Sequence, residues 1–109
     1  DTPCAPLDLA ALGELTFRAP DEVRFPATRL CRAAAEQGGA APAVLNAANE
    51  IAVAAFLSGQ IAFTSIAAIV EDLLGRYAPA APTSLAEVVA IDAEARIRAH
   101  TLLELNRVA

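Results

Sequence analysis

The sequence predicts a mainly α protein: a small antiparallel bundle of about four helices, preceded by an extended N-terminal arm. Three observations lead there. Alanine is the commonest residue, and apolar side chains recur at helical spacing from about residue 26 onward. Proline and glycine punctuate that region in opening and closing pairs, Pro26 with Gly38-Gly39 and Pro42 with Gly59. Residues 1–24 differ, holding Pro3, Pro6, Gly13 and Pro20 and one short alternating patch, Leu15-Thr16-Phe17, that suits a strand. The chain therefore divides into an extended arm or interdomain linker over 1–24 and a helical bundle domain over 25–109. A chain of 109 residues has room for one core and not for two.

The arm buries little by itself, and its Leu7, Leu9, Leu12, Leu15 and Phe17 are the side chains to expect against a neighbouring surface. A first helix fits 26–37. Pro26 suits its first turn, where a missing N–H costs nothing. Leu30, Cys31 and Ala34 make its inner face, Arg32 and Glu36 can pair one turn apart, and Gly38-Gly39 ends it. A second helix runs from Pro42 to residue 58 and stops at Gly59. In the third, Ile66, Ile69, Val70, Leu73 and Leu74 fall at i, i+3, i+4, i+7 and i+8, opposite Glu71 and Asp72. Thr64 is its expected N-cap and Gly75 its expected C-cap.

After the loop RYAPAAP, Ser84 and Glu87 form a capping box that opens a fourth helical stretch. Asp92 then lands on the apolar stripe of Leu85, Val88 and Val89. An unpaired carboxylate there is costly, so Asp92 reads as the N-cap of a fresh helix, 93–106. Its inner face is Ala95, Ala99, Leu102 and Leu103.

Composition excludes several functions. Thirteen acids against eight arginines leave a net charge of -5, which opposes nucleic-acid binding. No lysine is present, so neither a Schiff base nor a P-loop is available. The longest apolar run, Ile51 to Leu57, is far short of the roughly 20 residues of a membrane span. Cys4 and Cys31 are too few for a disulfide framework or a zinc site; Cys31 reads as a small buried residue and Cys4 as a loop thiol. A reducing cytoplasm is the expected compartment. The opening, DTPCAPLDLAALGELTF, lacks the regions of a signal peptide and does not begin with methionine, so the chain reads as a piece of a longer polypeptide.

The group that stands out is LNAANE, residues 45–50. Asn46, Asn49 and Glu50 share one face of the second helix, which is otherwise apolar nearly all round. A plain solvent stripe more often uses better helix formers than asparagine. Three readings stand: a buried or half-buried polar network that fixes neighbouring loops, simple exposure, or a ligand site with Glu50 as acid or base. The first is favoured.

Other candidates resolve to bland roles. His100, between Arg96 and Glu104 at i−4 and i+4, fits a charged surface and has no companion ligand for a metal. Gly38-Gly39 is a helix stop, and no serine lies in a nucleophile-elbow word. Arg18, Arg24, Arg29 and Arg32 are interleaved with Asp21, Glu22 and Glu36, the pattern of a salt-bridged surface.

The words LTFRAPDEVRFP, LNAANEIAVAAFLSGQIAFTSI and AIDAEAR together resemble the C-terminal end of the 1-deoxy-D-xylulose 5-phosphate reductoisomerases. The resemblance is densest from Leu15 to Ile66. It implies a chain of three parts: a dinucleotide-binding domain, a catalytic domain, and a helical C-terminal domain reached through an extended connection. It implies NADPH and Mg2+ or Mn2+ as cofactors of the full-length enzyme, a homodimer, and upstream catalytic and dinucleotide-binding domains as partners in the same chain. The family's catalytic asparagine, lysine and glutamate belong to an N-K-G-x-x-E word that is absent here. No catalytic, cofactor-binding or metal residue is therefore carried over, and the segment alone is expected to be inert. In that frame Asn46, Asn49 and Glu50 become candidates for pinning the arm to the bundle. The alternatives are a free-standing helical interaction module and, more weakly, a small-molecule carrier using a pocket beside those three residues.

Overall fold

A computed structural model describes Cys4 and residues 6–106. Five helices follow in order: α1 (Leu9–Leu12), α2 (Ala27–Gln37), α3 (Ala41–Leu57), α4 (Phe63–Arg76) and α5 (Leu85–Asn106). No strand occurs among the described residues, and Leu15-Thr16-Phe17 is extended but unpaired. α1 is a single turn inside the arm, missed from the sequence, and is held by Asp8, whose Oδ1 accepts from the amides of Ala10 and Ala11 at 2.9 and 3.1 Å. The arm is otherwise irregular and splayed. A compact chain of this size has a radius of gyration near ~13 Å, against 17.8 Å observed.

α3 is central, packing against α2, α4 and α5. Its ends are set as the sequence indicates. Gly38 and Gly39 take φ of 66° and 56°, conformations that L side chains rarely adopt, and turn the chain from α2 into α3. Pro42 sits in the first turn of α3, and Gly59, with φ 75°, follows its end. Val44, Ala47, Ala48 and Ala52 of α3 and Ala95 and Ala99 of α5 are fully buried. Such small side chains let helices approach toward the short end of the usual range of about 8–10 Å. Ile69, Val70 and Leu73 of α4 and Ile91, Leu102 and Leu103 of α5 complete the core.

Four expectations are corrected. Asp92 does not cap a new helix, because α5 runs unbroken from Leu85 to Asn106. Its carboxylate is half-buried and accepts from Arg96 Nε at 2.7 Å, so the pairing one turn on removes the cost that argued for a break. Thr64 lies inside the first turn of α4, where Ala62 takes the N-cap position without a side-chain bond. Gly75 lies within α4, and the chain leaves the helix at Tyr77. Cys31 is exposed, because α2 packs on α3 and turns only Leu30 and Ala34 inward.

The capping box of α5 is present in a shifted form. Ser84 Oγ accepts from the Glu87 amide at 3.2 Å, while the Glu87 carboxylate accepts from the amide of Thr83 at 2.6 Å. The preceding loop is held by Arg98, whose guanidinium lies 4.4 Å over the Tyr77 ring.

Candidate functional site: an ion-pair tie and an apolar groove

The LNAANE face splits in two. Asn46 and Glu50 stand one turn apart on α3, and the Asn46 amide donates to Glu50 Oε1 at 3.0 Å. Glu50 Oε2 in turn accepts from Arg96 of α5 at 2.7 Å. Arg96 is also held within its own helix by both oxygens of Asp92, at 2.7 and 3.2 Å. One guanidinium thus joins two carboxylates and, through Glu50, an amide. Asn46, Asn49 and Glu50 are all exposed, so the expected burial of this group is corrected: the network is a surface tie between α3 and α5.

Its electrostatics follow from that geometry. The Glu50 carboxyl is held below its ordinary value, first by the hydrogen bond from Arg96 and then by that from Asn46. The Arg96 guanidinium is pushed further up, first by Asp92 and then by Glu50. Between them the carboxylates of Glu50 and Asp92 hold a guanidinium, so this pair does not fit a divalent metal. Among the described residues no group of three or more His, Cys, Asp or Glu side chains is close enough to hold one.

Asn49 faces elsewhere. It has no side-chain hydrogen bond among the described residues, and it lines an open groove of about 520 Å³ with Val53, Leu30, Cys31, Phe63 and Ile66. The root of the arm, Val23 to Ala27, forms the lip of the same groove. That root is fixed by Asp21, whose Oδ1 accepts from the amides of Val23 and Arg24 at 3.1 and 3.0 Å. The lining is apolar apart from Arg24, Asn49, Thr64 and the Cys31 thiol, and Arg24 is its charged residue. A dinucleotide needs a cradle for its pyrophosphate and does not fit such a surface.

The remaining candidates are surface groups. His100 is exposed on α5. In the arginine cluster Arg29 makes the ion pair, to Glu71 of α4 at 2.9 Å, and Arg24 stacks on the Phe25 ring. No ion pair joins Arg32 to Glu36 among the described residues, so that expected pairing is not formed. Sequence reasoning missed Arg96 as a partner of Glu50, although the Asp92-to-Arg96 spacing of four was visible. The groove, which three helices and the arm root assemble, opens beside Asn49, where the carrier alternative placed a pocket, but its lining was not legible.

A bundle whose polar groups tie helices together, and whose open surface is an apolar groove beside an apolar arm, defines a helical packing domain. The chain belongs to the family described as the DXP reductoisomerase C-terminal domain, whose profile matches residues 1–98. It is 55% identical over 106 residues to a 1-deoxy-D-xylulose 5-phosphate reductoisomerase of Pseudomonas syringae pv. tomato, covering 97% of this chain and 27% of that protein. A Zymomonas mobilis relative of the same name is 55% identical over 104 residues, covering 95% of this chain and 27% of that one. The solved Zymomonas mobilis reductoisomerase in complex with NADPH superposes with a TM-score of 0.86 at 55% identity, over 95% of this chain and 28% of that chain. The chain thus spans little more than a quarter of the length of the relatives it matches.

Proposed function

We propose that this chain is the C-terminal structural domain of an NADPH-dependent, metal-dependent reductoisomerase. The parent enzyme converts 1-deoxy-D-xylulose 5-phosphate to 2-C-methyl-D-erythritol 4-phosphate in isoprenoid precursor synthesis, in the cytoplasm and as a homodimer. The segment itself supplies no catalytic group and supports the parts that precede it. The observation that carries the reading is the match over residues 1–98 to a domain that forms about a quarter of its named relatives. The arm supports it, since Leu15, Phe17 and Val23 are exposed and the described residues do not cover them.

The test is a chimera in which residues 1–109 replace the matched region of the Zymomonas mobilis enzyme. NADPH-dependent turnover of 1-deoxy-D-xylulose 5-phosphate is the expected result. A folded chimera without turnover refutes the assignment. Calorimetric titration of the 109-residue chain with NADPH, Mg2+ or Mn2+ should show no binding, and a specific binding isotherm would refute the inert role.

A further inference from the structure

We draw no further inference here: the strongest candidate, the apolar groove between α2, α3 and α4 with Asn49 and Cys31 in its lining, belongs to the site already described, and nothing in the structure shows what covers it.

Discussion

Replacing Ala95 with leucine tests the close approach of the central helices. Ala95 is 0% exposed and sits on the inner face of α5, in the same core cluster as Ala48 and Ala52 of α3. An isobutyl group there has no open volume to enter, so α5 must move outward or neighbouring side chains must leave their rotamers. Overpacking of this kind costs about 1–3 kcal/mol. Leucine is nearly as good a helix former as alanine, so propensity contributes at most a few tenths. For a domain of this size each kcal/mol moves the melting temperature by about 4–8 °C, and the expected fall is about 4–24 °C. Ala93, two residues earlier and exposed, provides the control, and Ala93→Leu should stay within about 0.5 kcal/mol of the parent. Urea unfolding followed by far-ultraviolet circular dichroism measures both, with an unchanged m-value showing that the same surface is exposed. Equal midpoints for the two variants would show slack between the helices and refute the argument.

Four further outcomes are expected in the same assay. Gly75→Ala should stabilise by about 0.4–1 kcal/mol, because the site is helical with nothing within 4 Å of the new Cβ. Gly38→Ala, equally uncrowded but at φ 66°, ψ -150°, should destabilise by about 1–3 kcal/mol through backbone strain alone, and a neutral result would contradict that geometry. Asn49→Leu should change the stability of the 109-residue chain by no more than about 0.5 kcal/mol, since its amide is exposed and loses only water; a larger loss would show a hidden partner. Acidification should weaken the α3–α5 tie. The folded-state pKa of Glu50 is lowered below 4.5, so its stabilisation is complete above that value and disappears as pH falls through the folded one. Glu50→Gln should flatten that acid limb of the urea midpoint, and an unaltered limb would show that the tie contributes nothing.

The boundaries of α2 and α3 were legible because proline and glycine punctuate them, whereas Gly75, with a helical backbone, marked no end of α4. α2 and α3 each begin one residue from the expected positions, because Pro26, Pro42, Gly38 and Gly59 act through local backbone geometry. The inner faces of α4 and of the second half of α5 followed from spacing for the same reason. Asp92 misled because burial was weighed without its neighbour at i+4; the carboxylate sits on the edge of the core with Arg96 beside it. Cys31 misled because spacing gives a helix's apolar stripe but not how much of that stripe a neighbour covers. The polar tie was legible in its Asn46–Glu50 half, a one-turn pair, and illegible in its Arg96 half, which only the packing of two helices brings near.

That last contact bears on how the bundle finds its alignment. Sliding α5 along α3 by one turn would exchange Ala95 for Ala99 but carry Ile91 or Leu103 into an alanine's place, so the bulky residues at the ends of the seam already oppose it. The same slide displaces the Arg96 guanidinium by about 5.4 Å, far beyond its 2.7 Å contact with Glu50. Asp92 holds Arg96 from within α5, so the guanidinium is aimed by its own helix. Glu50 and Arg96 act as an index mark, adding to the bulky ends of the alanine seam a polar contact that fits one alignment.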